Sequence, residues 1–251
     1  MNPHRRPHRL AAGLITKVTM QNTAQANLVI SIIVPVLNES AVLTALLERL
    51  LPLQQHGCEV LLVDGGSVDG SVDRIEATGF RVVHSQRGRA IQMNAGAAQA
   101  TGDVLLFLHA DTELPHGAIE GVRDALANDK HRWGRFDICI SGRHWMLPVI
   151  ATMMNLRSRM TGIATGDQAM FVGRATFDAV GGFANLPLME DIELSGRLRR
   201  ITPPACIAHR VTTSGRRWET RGVWRTMVLM WRLRWNYWRG VAPELLAQAY
   251  R

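Results

Sequence analysis

Cysteine is scarce in this sequence, and the three cysteines lie far apart, at Cys58, Cys139 and Cys206, with no C-x-x-C pair. An odd number at this spacing argues against a disulfide framework or a zinc site and favours a reducing cytoplasm. No run of apolar residues approaches the roughly 20 that a membrane-spanning helix needs. The apolar run near the N-terminus is too short and too interrupted for a secretory signal. We therefore expect a cytoplasmic globular protein.

Acidic residues are nearly absent from the two ends of the chain. Residues 1–27 carry four Lys and Arg and no acid, and residues 215–239 carry seven Arg against Glu219 alone. The net charge of the whole chain is +8, so the remainder sums to about −2. The core therefore lacks the basic stripe of a nucleic-acid-binding domain. We expect residues 1–27 to form a flexible basic tail, or in part an over-extended start, since Met20 would also serve as one.

Short apolar runs alternate with segments of helical periodicity from residue 28 onwards. Four buried strands are predicted within NLVISIIVPVLNE, CEVLLVDGGSVDGS, FRVVHS and DVLLFLHAD, with a helix after each of the first three. Ser40 is placed to cap the first helix. Strands that are apolar throughout are typical of a mainly parallel, Rossmann-like sheet with helices on both faces. Residues 28–214 are predicted to form this α/β domain.

Polar side chains follow three of these predicted strands. Asn38 and Glu39 follow the first, Asp64 ends the second, and His109-Ala110-Asp111 ends the fourth. In open parallel sheets the ligand crevice lies at the carboxyl ends of the strands. Residues i and i+2 of an extended segment point to the same side, so His109 and Asp111 are expected to face one ligand together. The three strand ends therefore outline a binding site.

Each strand-end residue also has a plain structural interpretation. Asp111 is suited to Mg²⁺ or Mn²⁺ on a nucleotide diphosphate, but it could equally cap the following turn, and a lone histidine such as His109 is more often structural. Asp64 could bind a ligand, with Gly65 and Gly66 allowing close backbone approach. Alternatively DGGSVDGS is a strand-to-helix turn in which Ser67 or Asp69 caps the helix.

Two further charged pairs lie at predicted helix starts. Glu190 and Asp191 open the helix LMEDIELSGRLRR, where acids are favoured anyway, but one of the two could face the crevice as a general base. Arg87 and Arg89 flank a glycine before another helix, where guanidinium groups would bind phosphate or simply lie in solvent.

The C-terminal segment 215–251 is predicted to be an amphipathic helical extension. It contains five of the seven tryptophans, and Trp224, Trp231 and Trp238 recur every seven residues among arginines. Such a helix suits an anionic membrane surface, at the inner face of the membrane for a cytoplasmic protein. The alternative is a helix that packs its Trp face on the core.

Six segments occur in an order that resembles glycosyltransferase family 2: SIIVPVLNE, VDGGSVDGS, GRAIQMNAGAAQATGDVLLFLHADTELP, GDQAMFV, VGGF and MEDIEL. The resemblance runs from about residue 30 to about residue 200. Within the family the chain is similar to the radical-SAM/selenodomain-associated transferases, labelled as arsenosugar-biosynthesis glycosyltransferases. The resemblance implies a GT-A fold and inverting transfer from a nucleotide-activated sugar.

The resemblance also implies roles for individual residues. Asp191 would be the general base, with Glu190 beside it, and Asp111 would bind Mn²⁺ or Mg²⁺. The chain departs from the family at His109, which replaces the first aspartate of the Asp-x-Asp motif and puts metal dependence in doubt, although imidazole suits Mn²⁺. The donor site implied comprises Pro35, Asn38, Glu39, Asp64, Gly65, Arg87, Arg89, His109, Ala110 and Asp111. The acceptor site implied comprises Gly166, Asp167, Gln168 and Trp218.

Two other functions compete with this one. A peripheral membrane-binding module could keep the fold without catalysis, which the altered Asp-x-Asp motif allows and the intact MEDIEL opposes. A nucleotidyltransferase would need a Gly-rich basic loop where this chain has PVLNESAVL. The acceptor also stays open, because the Trp helix favours a lipid and the subgroup resemblance favours a small metabolite.

Overall fold

The structure, a computed structural model, describes residues 28–127 and 130–250. The predicted tail 1–27 lies outside this part of the chain. Between residues 30 and 107 strands and helices alternate as the hydrophobic pattern predicted.

One eight-stranded sheet organises the described residues, in the order β3-β2-β1-β4-β7-β6-β8-β5. The strands are β1 (Ile30–Val36), β2 (Glu59–Asp64), β3 (Arg81–His84), β4 (Val104–Phe107), β5 (Thr112–Glu113), β6 (Trp133–Ser141), β7 (Phe171–Gly173) and β8 (Ala205–Ser214). β3, β2, β1 and β4 are mutually parallel, as are β6 and β8. β7 is antiparallel to both of its neighbours, and β5 is antiparallel to β8. The predicted parallel sheet is confirmed, with these antiparallel additions in the second half.

Helices connect and cover the strands. They are α1 (Ser40–Gln55), α2 (Ser71–Glu76), α3 (Arg89–Gln99), α4 (Ala118–Leu126), α5 (Met146–Thr161), the single-turn 3₁₀ helix η1 (Gly166–Gln168), α6 (Arg174–Ala179), α7 (Glu190–Leu198), α8 (Arg216–Arg221), α9 (Val223–Trp238) and α10 (Pro243–Tyr250).

The sheet buries a core on each face. Along β1, Ile32 and Val34 belong to one core and Ile33 to the other, because successive side chains of a strand point to opposite faces. Leu46 of α1 packs in the first core and Met93 of α3 in the second. Helices therefore cover both faces of the sheet, as predicted.

The expected helix cap at Ser40 is wrong. Ser40 is the first residue of α1, and Glu39 occupies the capping position without a side-chain cap. The Ser40 N–H instead donates to the Asp69 carboxylate at 2.9 Å. A carboxylate from the β2–α2 turn, and not a serine side chain, therefore accepts a hydrogen bond from the N-terminal end of α1.

The C-terminal segment is three helices and not one. Gly222, at φ 83°, separates α8 from α9, so Trp218 lies on a different helix from the other tryptophans of this segment. Trp224 is 59 % exposed, Trp231 66 % and Trp238 75 %, so the alternative in which this face packs on the core is wrong. Among the described residues, no helix is both long and apolar enough to cross a membrane.

The predicted division at residues 214 and 215 coincides with the end of β8. The side chains beyond it divide between two environments. Val223 is buried in the first core, with Ile32 and Val34, whereas Leu233 and Leu246 form a small core of their own with Met189. The domain assignment stays a prediction.

Candidate active site

The carboxyl ends of β1, β2 and β3 lie side by side at one edge of the sheet. Val36 pairs with Asp64, and Asp64 pairs with His84, at the last positions of their strands. β4 also runs parallel to β1, so the loops that follow β1, β2 and β4 begin at the same edge, as the strand pattern predicted.

A small cavity of about 10 Å³ lies beyond β4. Residues from both halves of the chain line it: Arg89, Met93, Phe107, His109, Gly166, Met170, Phe183, Glu190 and Asp191. Its volume suits about one water molecule. A larger ligand has to lie outside this cavity, which forms the closed inner end of the site.

Asp191 is held by two backbone donors. The Gly166 N–H donates to Asp191 Oδ2 at 2.7 Å, and the Ile192 N–H donates to Oδ1 at 2.7 Å. Burial raises the pKa of the Asp191 carboxyl, although these two bonds and the Arg89 charge act in the opposite direction. A carboxylate with a raised pKa is a stronger base than an ordinary aspartate.

Glu190 lies deeper than Asp191 and is only 4 % exposed. Burial and the neighbouring Asp191 charge raise the pKa of its carboxyl. Arg89 Nη1, at the start of α3, lies 3.8 Å from Glu190 Oε1. The two predicted helix starts, at residues 89 and 190, therefore meet at this cavity.

The backbone immediately before α7 has an unusual conformation. Met189 has φ 71°, in the left-handed region that bulky side chains rarely adopt. Its side chain is buried against Leu233 and Leu246. Packing from the C-terminal helices therefore supports a strained turn directly beside the two acids.

His109 packs against the loop that carries Gly166. Its Nδ1 lies 3.2 Å from Asp167 Oδ1. A Cβ on Gly166 would lie 2.4 Å from His109 Nε2, so only glycine allows this approach. Partial burial alone would raise the pKa of Asp167, but the hydrogen bond and charge of His109 lower it below the usual value.

Hydrogen bonds between its own residues stabilise the loop that contains η1. The Thr165 N–H donates to the Gln168 side chain at 3.1 Å, in a reciprocal capping box. Gln168 is fully buried, and its amide also approaches the Phe136 carbonyl at 3.4 Å. Of the predicted acceptor residues, Gln168 therefore supports the loop. Gly166 contacts Asp191, and Asp167 contacts His109.

His109 and Asp111 do not continue the strand, because β4 ends at Phe107. The prediction that His109 and Asp111 alternate along an extended strand is therefore wrong. His109 pairs with Asp167, whereas Asp111 lies near Glu39, whose pKa is raised by burial and then by the Asp111 charge. In residues 28–127 and 130–250, no three His, Cys, Asp or Glu side chains cluster as a ready-made metal site.

Asp64 organises the turn after β2. Its carboxylate accepts the Gly66 N–H at 2.9 Å and the Ser67 N–H at 3.0 Å. Asn38, at φ 54°, accepts the Val68 N–H at 2.9 Å and ties this turn to the end of β1. These bonds fit the structural interpretation of Asp64, and its role toward a ligand stays a prediction.

Gly65 is required for packing against Gln92. A Cβ on Gly65 would lie 2.9 Å from the Gln92 side chain. The Gln92 amide donates to the Val36 and Val63 carbonyls at 2.8 Å each. Gln92 is a residue that the sequence reasoning missed, and the only signal was a polar residue on the buried, small-residue face of α3.

The remaining predicted site residues lie at varied depths. Pro35 is half-buried within β1, and Arg87 is exposed at the turn before α3. Ala110 is 6 % exposed and belongs to the first core, so its side chain is unavailable to a sugar-nucleotide ligand. Trp218 packs against the same core and is not among the cavity residues.

Solved glycosyltransferases share this fold. Glucosyl-3-phosphoglycerate synthase from Mycobacterium tuberculosis, in complex with Mn²⁺, UDP and glucosyl-3-phosphoglycerate, superposes with a TM-score of 0.56 at 20 % identity, over 83 % of this chain and 77 % of that one. The mannosyltransferase PcManGT from Pyrobaculum calidifontis, in complex with GDP-Man and Mn²⁺, gives 0.54 at 17 % identity, over 81 % and 66 %. The chain therefore has the GT-A fold.

Sequence relatives match a shorter region. The PGL/p-HBAD biosynthesis glycosyltransferase of Mycobacterium bovis (strain BCG / Pasteur 1173P2) is 40 % identical over 91 residues, which is 34 % of this chain and 36 % of that protein. Glucosyl-3-phosphoglycerate synthase of Mycobacterium tuberculosis (strain CDC 1551 / Oshkosh) is 30 % identical over 103 residues, or 37 % and 32 %. The chain thus spans about a third of the length of the curated relatives it matches.

The model of Glycosyl transferase family 2 matches residues 31–182, which is more than half of the chain. This region includes the carboxyl ends of β1, β2, β3 and β4 together with η1. The chain belongs to glycosyltransferase family 2.

Proposed function

We propose that the protein is an inverting glycosyltransferase that moves a sugar from a nucleoside-diphosphate donor to an acceptor hydroxyl, with Asp191 as general base. One observation carries the proposal. The Asp191 carboxylate is fixed by the Gly166 and Ile192 N–H groups at the inner end of the site, and burial raises its pKa. A fixed carboxylate of raised pKa is suited to remove a proton from a hydroxyl.

The chemical step follows from this arrangement. Asp191 takes the proton of the acceptor hydroxyl while that oxygen forms a bond to the anomeric carbon of the donor. The bond between that carbon and the diphosphate breaks on the opposite side, so the configuration inverts and the nucleoside diphosphate leaves with the electron pair. Arg89, close to Glu190, supplies positive charge at the same end of the site.

The donor is proposed to lie along the ends of β1, β2 and β4, against Glu39 and Asp64. Support comes from relatives of the same fold, one of them in complex with UDP and Mn²⁺ and another with GDP-Man and Mn²⁺. The carboxylates of Glu39 and Asp111 lie near each other, and hard oxygen ligands fit Mn²⁺ or Mg²⁺. A bound cation would neutralise charge on the leaving diphosphate.

His109 is proposed to act differently from the aspartate it replaces. Because its ring is engaged with Asp167 and packed on Gly166, it fits a role in positioning the η1 loop better than a role as metal ligand. The metal would therefore depend on Asp111, Glu39 and the donor phosphates.

The acceptor is proposed to reach the site at an anionic membrane surface. The exposed tryptophans of α9 lie among arginines, which suits the headgroup region of a bilayer. This surface favours a lipid acceptor over the small arsenic-bearing metabolite that the subgroup resemblance implies. It would also suit the non-catalytic membrane module, so catalysis has to be measured directly.

The role of Asp191 is tested by Asp191→Asn, with the same change at exposed Asp178 on α6 as the matched control. Wild type and Asp178→Asn should release nucleoside diphosphate from a sugar nucleotide, whereas Asp191→Asn should lose transfer and keep nucleotide binding. Full transfer by Asp191→Asn would overturn the assignment of the base.

The donor site is tested by calorimetric titration of UDP and GDP with and without Mn²⁺, in wild type, Asp111→Ala and Asp178→Ala. Metal-dependent binding that only Asp111→Ala abolishes would establish the donor site and identify the nucleobase of the donor. Failure of every nucleoside diphosphate to bind would favour the non-catalytic membrane module.

A further inference from the structure

A groove of about 300 Å³ separates α9 from α10. Its walls are mostly apolar, formed by Leu229, Leu233, Val241, Leu245, Leu246 and Ala249. Small-molecule sites begin at about this volume and are lined mainly by apolar side chains. The groove is therefore large enough for an alkyl chain, and it lies apart from the cavity beside Asp191.

The polar part of the lining is cationic. Arg232 and Asn236, one turn apart on α9, are the polar side chains that face the groove. Residues 220–243 contain five arginines and no acidic residue. An apolar groove with an arginine at its rim is complementary to an amphiphile that has an anionic head group.

The floor of the groove is continuous with the support of the active site. Leu233 and Leu246 line the groove and also form a core with Met189. Met189 directly precedes Glu190 and Asp191, and its strained φ of 71° depends on this packing. A chain in the groove is thus separated from the turn before the general base by one layer of side chains.

Tyr237 lies one helical turn after Leu233 on α9, so the two side chains share one face of the helix. It packs against the core that contains Met189. Burial, followed by the negative charges of Glu193 and Asp191, raises the pKa of its phenol. The Asp191 charge acts on Tyr237, so this face of α9 lies close to the carboxylate proposed as base.

The exposed tryptophans lie on the same helix. Trp231 and Trp235 are 66 % and 58 % exposed, and they flank Arg232 in sequence. A helix that places these indoles at the headgroup level would hold Arg232, at the rim of the groove, near the same level. This arrangement favours a lipid as the occupant over a peptide or a second copy of the chain.

We propose that the α9–α10 groove binds the alkyl chain of a membrane-derived amphiphile whose anionic head group lies at Arg232. This inference goes beyond the proposed glycosyl transfer, because the groove lies apart from the cavity beside Asp191. It also assigns a binding role to the C-terminal helices beyond attachment to a surface.

The test uses decyl phosphate as the probe and inorganic phosphate as the head-group control, titrated calorimetrically into the full chain. Ala249→Trp places an indole in the groove, and Gln248→Trp adds the same side chain at the adjacent exposed position outside it. Wild type should bind decyl phosphate more than tenfold tighter than inorganic phosphate, a difference above about 1.4 kcal/mol. Ala249→Trp should remove at least about tenfold of this affinity, and Gln248→Trp should leave it unchanged.

Three outcomes would overturn the inference: unchanged decyl phosphate binding in Ala249→Trp, equal affinity for inorganic phosphate, or a dimer in sedimentation that Ala249→Trp dissociates. UDP and GDP are titrated into the same three proteins. Nucleotide binding should be equal in all of them, so a chain that binds decyl phosphate in the groove and no nucleotide would contradict the proposed function alone.

Discussion

Gly166→Ala is the substitution that the geometry of the site forbids most directly. A Cβ at this position would lie 2.4 Å from His109 Nε2 and 2.5 Å from His109 Cε1, distances that real Cβ atoms do not adopt. The φ of Gly166 is not positive, so alanine meets no backbone strain and the effect is purely steric. His109 is 9 % exposed and bonded to Asp167, so the ring has little room to withdraw.

The expected size of the effect follows from these contacts. Overpacking a buried site costs about 1–3 kcal/mol of stability. If the Gly166 backbone moves instead, the 2.7 Å bond to Asp191 is lost, and hydrogen bonds to charged groups contribute about 1.5–3 kcal/mol. A similar loss in the transition state would lower the transfer rate by about tenfold to a hundredfold.

The matched control is Gly196→Ala in α7, where a Cβ would meet no atom within 4 Å. Alanine in a helix interior is favoured over glycine by about 0.5–1 kcal/mol, so this variant should be slightly more stable than wild type and equally active. Urea unfolding and sugar release from the donor measure both properties.

A double-mutant cycle separates the clash from other effects. In a His109→Ala background the ring is absent, so Gly166→Ala should no longer reduce stability. The reasoning would be refuted if Gly166→Ala matched wild type in stability and transfer, or if its cost were the same with and without His109.

Two further predictions concern buried charges. Asp137 accepts hydrogen bonds from Arg135, which is fully buried, and from Arg159 at 2.7 Å. Asp137→Asn should therefore lower the free energy of unfolding by about 3–5 kcal/mol in urea titrations. Asp178→Asn, at an exposed position, is the control and should change this free energy little. Because the folded-state pKa of Glu190 is raised above the ordinary 4.5, its neutral form is favoured and wild type loses stability as pH rises through that raised value. Glu190→Gln removes this loss, so its melting temperature relative to wild type should rise as pH increases above 4.5 and level off once pH passes the raised pKa of Glu190; a constant difference throughout would contradict the burial of an ionisable carboxyl.

Much of the architecture was predictable because it depends on local patterns. Apolar runs at Ile30–Val36 and Glu59–Asp64 became neighbouring parallel strands, and the polar residues after them met at one edge. The order of the six motifs indicated the family, which the family model confirmed. In each case a short segment carried its own signal, either hydrophobic periodicity or turn chemistry.

The partners of the site residues could not be predicted in this way. His109 meets Asp167 across 58 positions of sequence, and Asp191 meets Gly166 across 25. β4 ends at Phe107, two residues before His109, so alternation along the strand could not place the ring. Such contacts depend on how loops from two halves of the chain pack together, and sequence spacing carries no information about that packing.

The sequence by itself determined the alternating strands and helices, the edge of the sheet where polar residues collect, and the seven-residue spacing of three tryptophans. Only the tertiary structure decided that Gln92 would hold the Val36 and Val63 carbonyls, and that α9 would turn its tryptophans outward. The physical reason is range: propensity and periodicity act within a few residues, whereas burial, charge environment and orientation are set by segments that come together only when the chain folds.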